Sequence, residues 1–326
     1  MTPLAGIVYD IRMRTWFRGG NRRQGMLLRG EAGWAEWSPF CEYEDHEAAA
    51  WLRAAVEAAT QGWPAARRSQ IPVNAIIPAV APAAAAERAR ASGCRTAKVK
   101  VAEGGETLDD DVARVAAVRD ALGPDARIRV DANGAWSVAE AMRALRELSR
   151  FGLEYAEQPC RSVTELADLR RRLASADIAV PIAADESIRR AADPMHVARA
   201  EAADVAVIKV QPLGGVQACL RLADEMGLPV VVSSALETAV GLRQSVALAA
   251  ALPELNYACG LETGSLLQRD VAALPVIGGA IQVADLDVDL VAVRAVQAAP
   301  SITAWWTRRL RRVSAMLAHW PGMVPL

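Results

Sequence analysis

The chain has 326 residues, enough for one large barrel or for two domains with full-sized cores. It is 52% hydrophobic and 23% charged, and its net charge of −1 gives no support for nucleic-acid binding. The five cysteines (Cys41, Cys94, Cys160, Cys219, Cys259) are scattered without a C-x-x-C pair, which excludes a zinc ribbon or a disulfide framework and points to reduced thiols in the cytoplasm.

The first 70 residues read as a small α+β domain. Two or three strands, among them M-L-L-R-G and W-A-E-W, precede a helix from His46 to Thr60. Between the strands, F-R-G-G-N-R-R-Q-G reads as a glycine- and arginine-rich loop. From Ile71 to about Leu286, short apolar strands alternate with helical stretches. V-N-A-I-I, T-A-K-V-K-V, R-I-R-V-D, L-E-Y-A-E, V-P-I-A-A-D, D-V-A-V-I-K-V and P-V-V-V-S each precede a helix, and a last short strand is expected near Tyr257 to Leu261. This βα rhythm predicts a parallel α/β barrel. No G-x-G-x-x-G follows a first strand, so a dinucleotide fold is not expected. Residues 287–326 leave the rhythm and end in a helix from Ile302 to His319. Its apolar stripe of Trp305, Trp306, Leu310, Val313 and Leu317 predicts docking on the protein, although Arg308, Arg309, Arg311 and Arg312 make it basic. No apolar run reaches spanning length, and the N-terminus lacks a signal-peptide pattern.

Chemistry concentrates at the ends of the barrel strands, which meet at one mouth. Three successive strands end in acid: Asp131, Glu157 and Asp185, spaced 26 and 28 residues apart. A single acid there is ordinarily a helix cap or an arginine partner. Three at matching positions would repel one another without a cation. With no histidine or thiol beside them they suit a hard ion, Mg²⁺ with Mn²⁺ as a substitute. The only three lysines, against 34 arginines, flank this set: Lys98, Lys100 and Lys209. Arginine cannot act as a neutral base and lysine can, so their persistence points to proton abstraction next to a carboxylate. Arg129 and Asn133 lie two residues either side of Asp131 and are candidates for binding a substrate anion or a lysine. Ser233, Ser234 and Gly260 end the last strands and offer hydroxyls and a backbone N–H to a carboxylate.

K-V-K, R-V-D-A-N-G-A-W, E-Q-P, A-D-E-S and the Lys209 strand, in this order and spacing, resemble the enolase superfamily, in its muconate-lactonising subgroup. The resemblance covers nearly the whole chain. It implies a modified TIM barrel, (β/α)7β, with a capping domain that the C-terminal segment rejoins. It implies Asp131, Glu157 and Asp185 as Mg²⁺ ligands and Lys100 and Lys209 as the catalytic pair, with Lys98 beside them. F-R-G-G-N-R-R-Q-G, G-W-A-E-W-S-P-F, P-V-N-A-I-I-P and G-L-E-T-G-S-L-L narrow it to members that carry out a syn-dehydration in menaquinone biosynthesis. Lys100 would then remove the α-proton and assist hydroxide departure, with Lys209 as a cation across the ring. A small-molecule dicarboxylate substrate would give Arg129 and the loop arginines Arg18, Arg22 and Arg23 a purpose. Racemisation of N-succinylamino acids is the alternative on the same residues. No membrane partner is implied, and a monomer or small homo-oligomer is expected.

Overall fold

The computed structural model describes residues 5–17 and 20–318. Arg18 and His319 lie outside the described residues.

The chain begins with a three-stranded antiparallel sheet, β1 (Ala5–Phe17), β2 (Gly20–Gly30) and β3 (Gly33–Trp37), in the order β1-β2-β3. The expected glycine- and arginine-rich loop is therefore mostly strand: Arg22 to Gly25 pair with β1, Gln24 opposite Asp10 and Arg22 opposite Arg12. A helix, Asp45–Gln61, packs on this sheet. It opens with a capping box in which Glu44 and Glu47 satisfy each other's backbone N–H groups. The last helix, Pro300–Ala318, lies against the same helix and β1. Its apolar side is buried there: Trp306, Val313 and Leu317 join Trp37, Trp51 and Leu52 in one core. Trp37 and Trp306 meet edge to face at 5.3 Å. The basic side is only partly absorbed, since Arg308, Arg311 and Arg312 remain exposed. Arg309 is buried and donates to the carbonyls of Phe40 and Tyr43, and Arg312 pairs with Asp45 at 2.7 Å.

The barrel follows. β4 (Gln70–Pro72) pairs outside it with the hairpin formed later by β12 (Val276–Ile277) and β13 (Ala280–Gln282). Seven parallel strands form the wall in sequence order: β5 (Ala75–Ile77), β6 (Thr96–Lys100), β7 (Arg127–Asp131), β8 (Leu153–Glu157), β9 (Ile182–Ala184), β10 (Val205–Ile208) and β11 (Val230–Val232). The eighth position is not a full strand. Parallel bridges from Cys259 to Val73 and from Gly260 to Ser233 close the ring between β11 and β5. The shell helices start cleanly because Thr107, Ser137 and Ser162 each form a capping box with an acid three residues on. The helix Ala239–Ala251 is buried on every side, since it runs between the barrel and the first sheet. An apolar seam of Tyr9, Ile11, Met13, Leu27, Ile76, Leu236 and Val240 joins the two bodies. Among the described residues no helix is long and apolar enough to cross a membrane.

Candidate active site

A cavity of about 610 Å³ opens at the C-terminal ends of the barrel strands and is roofed by the first sheet. The barrel contributes Lys98, Lys100, Asp131, Asn133, Glu186, Arg189, Lys209, Ser233 and Ser234 to its lining. The cap contributes Thr15, Trp16 and Phe40. Strand periodicity explains the barrel set: Lys98 and Lys100 are two apart on β6 and share the inward face, as Arg129 and Asp131 do on β7.

The acids and cations interlock. Lys98 donates to Glu157 at 2.7 Å and lies 3.3 Å from Asp131. Burial works against the Lys98 charge, but Glu157 and then Asp131 outweigh it and hold the proton on firmly. Lys98 is thus a fixed cation. Lys209 donates to Asp185 at 2.6 Å, and Arg189 donates to the other Asp185 oxygen at 2.9 Å. These two cations overcome the effect of burial and keep the Asp185 carboxyl well below its usual range. Lys100 donates to the side-chain oxygen of Asn133 at 2.6 Å, and Asn133 donates in turn to Glu186 at 3.3 Å. Asn133 adopts φ of +46°, a left-handed conformation that asparagine tolerates better than most residues, and this turns its amide onto Lys100.

Two acids are exceptions to this pairing: Glu186 has one oxygen buried with no partner, and so does Glu157. Burial, together with Asp131 and Asp185, pushes the Glu157 carboxyl up to about 7 despite Lys98. Among the described residues, no three His, Cys, Asp or Glu side chains are gathered so as to hold an ion as they stand. Lys98, Lys209 and Arg189 balance the acids instead. The donor chemistry nonetheless fits a hard divalent cation: three carboxylates at one mouth, one with an orphaned oxygen and a proton affinity raised by its acidic neighbours.

Residues that the sequence did not single out complete the site. Gln158, next to Glu157, is buried with φ of +39°. Its side-chain amide oxygen accepts from the backbone N–H of Asp185 at 3.0 Å and of Ser187 at 3.1 Å, which fixes the turn that presents Asp185. Arg189 binds Asp185, Glu186 and the Tyr43 hydroxyl together, so one side chain ties the acid turn to the cap. Its i,i+4 spacing from Asp185 was the available signal.

Several expected substrate contacts stand elsewhere. Arg129 faces the barrel interior one layer below the cavity, bonded to Glu154 at 2.6 Å, Asn74 at 3.0 Å and the Ala258 carbonyl at 2.7 Å. Its guanidinium lies over the rings of Tyr155 and Tyr257. Arg22 and Arg23 are neighbours on a strand and so point to opposite faces. Arg22 turns out to Asp10 at 2.6 Å, and Arg23 is buried against Leu236, Ser38 and Phe40. The Gly260 N–H is spent on the Val232 carbonyl at 2.8 Å and cannot meet a ligand. Ser233 and Ser234 do line the cavity, with the Ser234 hydroxyl 2.6 Å from that of Thr263.

Comparison with known proteins adds to this geometry. The Enolase C-terminal domain-like family matches residues 81–288, and the Enolase N-terminal domain-like family matches residues 8–59. An o-succinylbenzoate synthase of Thermobifida fusca is 56% identical over 319 residues, covering 97% of this chain and 97% of that one. One from Mycobacterium tuberculosis is 50% identical over 314 residues, covering 95% and 94%. Among solved structures, the muconate lactonizing enzyme of Pseudomonas putida superposes with a TM-score of 0.74 at 19% identity, covering 91% of this chain and 99% of that one. The 2-chloromuconate cycloisomerase of Rhodococcus opacus superposes at 0.75 with 22% identity, covering 91% and 99%. At these identities the structural likeness speaks for the fold.

Proposed function

This chain belongs to the o-succinylbenzoate synthase family of the enolase superfamily, and from that premise we propose how its cavity works. The reaction is the syn-dehydration of 2-succinyl-6-hydroxy-2,4-cyclohexadiene-1-carboxylate to o-succinylbenzoate in menaquinone biosynthesis, which makes the protein a hydro-lyase. The observation that carries the residue roles is that Lys100 and Lys209 both line one cavity together with Asp131.

Lys100 is the base. It takes the proton from the carbon that bears the ring carboxylate, and the ammonium so formed passes the proton to the departing hydroxyl on the same face of the ring. Atoms balance: one C–H and one C–O bond break, one water leaves and the ring becomes aromatic. Asn133 holds the amine in place through its 2.6 Å contact. Lys209, fixed on Asp185, stands as a cation for the ring face. Lys98 stays protonated and braces Glu157 and Asp131. A divalent cation, Mg²⁺ with Mn²⁺ as substitute, would be held by Asp131, Glu157 and Asp185 and would supply positive charge where negative charge builds on the carboxylate oxygens. Ser233 and Ser234 offer hydroxyls to the succinyl end of the substrate, and Trp16 and Phe40 cover the apolar ring. The ligand is a small water-soluble dianion, which suits a cytoplasmic enzyme.

The test is an ultraviolet assay of substrate loss by purified protein with Mg²⁺, then with excess chelator. Fast conversion that the chelator abolishes is expected. A folded, Mg²⁺-binding protein that leaves the substrate untouched would overturn the dehydratase reading and direct attention to deuterium exchange at the α-carbon of N-succinylamino acids.

A further inference from the structure

One wall of the cavity is the segment Ser233, Ser234, Ala235 and Leu236. It ends in a turn at which Leu236 adopts φ of +66°, a conformation that leucine rarely takes and that its surroundings must impose. Two charged side chains of the cap grip this turn. Arg23, on β2, donates from Nε to the Leu236 carbonyl at 2.7 Å and from a terminal nitrogen to the Ala235 carbonyl at 3.4 Å. The same nitrogen donates to the Ser38 carbonyl and, at 2.9 Å, to its hydroxyl. Glu36, on β3, accepts from the backbone N–H of Thr238 and of Gly241, each at 3.1 Å, and from the Thr238 hydroxyl. These amides open the helix Ala239–Ala251, where backbone N–H groups lack partners within the helix. The Ser38 hydroxyl joins the two charges by donating to Glu36 at 2.7 Å, and the Tyr9 hydroxyl also donates to Glu36 at 2.7 Å. Both charged groups are buried.

We propose that Arg23 and Glu36 are positioning residues that clamp the Ser233–Leu236 wall from the cap, so that docking of the cap sets how tightly the substrate is held. The proposal rests on the dehydratase reading of the cavity. Its logic is one of polarity: a guanidinium meets successive carbonyls, and a carboxylate meets the amides that follow. Arginine suits the task because its planar fork reaches several acceptors at once, whereas an ammonium is a point charge. Nothing within the turn replaces the clamp. Glu237 accepts from the Ala235 N–H at 2.7 Å, but its other oxygen is buried without a partner. The barrel holds Ser233 and Ser234 through the Ile208 and Gly260 carbonyls, so it is the turn at Ala235 and Leu236 that depends on the other body of the molecule for its shape.

The test compares Arg23→Lys and Arg23→Met with the wild type in three readouts. These are KM and kcat for dehydration, Mg²⁺ affinity by calorimetry, and amide hydrogen exchange of residues 233–238 relative to the β10 strand. Arg23→Met is expected to raise KM roughly tenfold or more. It should leave kcat within about threefold, keep Mg²⁺ affinity unchanged, and speed exchange in that segment alone. Arg23→Lys should fall between. Unchanged KM together with unchanged segment exchange overturns the proposal. So does a parallel decline of kcat, Mg²⁺ affinity and protection across the barrel, which would make Arg23 a residue of general stability. If Arg23→Met does not fold, Ser38→Ala removes only the hydroxyl between the two charges and is expected to raise KM about threefold, with the same local exchange signature. A wild type that does not dehydrate the substrate refutes the reading of the cavity, and segment exchange in the variants then decides the clamp by itself.

Discussion

Two layers of the barrel interior lie two residues apart on the same strands and use similar side chains to different ends. In the lower layer Arg129 is sealed between Glu154, Asn74 and a backbone carbonyl, with Tyr155 and Tyr257 across its faces. In the upper layer Asp131, Glu157, Asp185 and Glu186 share Lys98, Lys209 and Arg189, and one oxygen each of Glu157 and Glu186 is left over. Arg129 and its partners do not line the cavity of about 610 Å³, whereas Lys98, Asp131, Glu186, Arg189 and Lys209 do. The difference teaches that charge inside a barrel is not by itself a sign of function. What sets the upper layer apart is that Asp131 and Glu186 line open space with Glu157 and Asp185 buried behind them, together with a lysine held by a neutral amide rather than by a carboxylate.

Variants can break or sharpen this contrast. The largest effect is expected from Lys100→Arg and Lys209→Arg, which keep the charge but remove the compact amine. Turnover should drop roughly 10²–10⁴-fold with the fold intact by circular dichroism.

Next is Glu157→Gln. It should abolish most of the rise in melting temperature that Mg²⁺ produces in the wild type, measured by scanning calorimetry. It should also change the metal-free pH profile. The Glu157 carboxyl lies at about 7 in the fold against an ordinary 4.5, so the folded state holds a proton that the unfolded chain has lost. Metal-free stability should therefore fall as pH rises from about 4.5 through 7. Glu157→Gln should flatten part of that fall. Glu237, also pushed up to about 7 by burial and by Glu36, should account for a further part, removed by Glu237→Gln.

Arg129→Met tests the lower layer. It should cost about 3 kcal/mol of stability because Glu154 and Asn74 lose their shared partner, while kcat per folded molecule changes little. The smallest effect belongs to Arg22→Ala. Its ion pair with Asp10 is exposed, so stability should shift by less than about 1 kcal/mol, with KM unchanged in the same assay.

Much of this was legible in the sequence, and the limits have physical causes. The βα rhythm gave the seven strands and their helices because each βα unit repeats the same burial pattern. The acids at strand ends and the lysines of β6 were readable because period-two alternation fixes which face a side chain takes. Depth along the barrel was not readable. Arg129 shares the inward face of Asp131 but lies below the cavity, and alternation carries no information on layer. The last strand shrank to two bridges at Cys259 and Gly260, since eight strands can close with only a short eighth member. The cap was harder still. Arg22 and Arg23 looked like equivalent loop residues, and their opposite fates follow from a strand pairing that the glycines around them concealed. Gln158, Trp16 and Phe40 matter through contacts between distant segments, which no local pattern announces, whereas Arg189 had a local signal in its i,i+4 spacing from Asp185.

The most direct test of the account is the rate of substrate loss by purified Lys100→Arg, measured with Mg²⁺ beside Arg129→Met and normalised to folded protein. A loss of at least about 10²-fold in Lys100→Arg, with Arg129→Met near the wild type per folded molecule, is the predicted result. Near-normal turnover by Lys100→Arg would contradict the assignment of the base and, with it, the division of the barrel interior into a catalytic layer and a structural one.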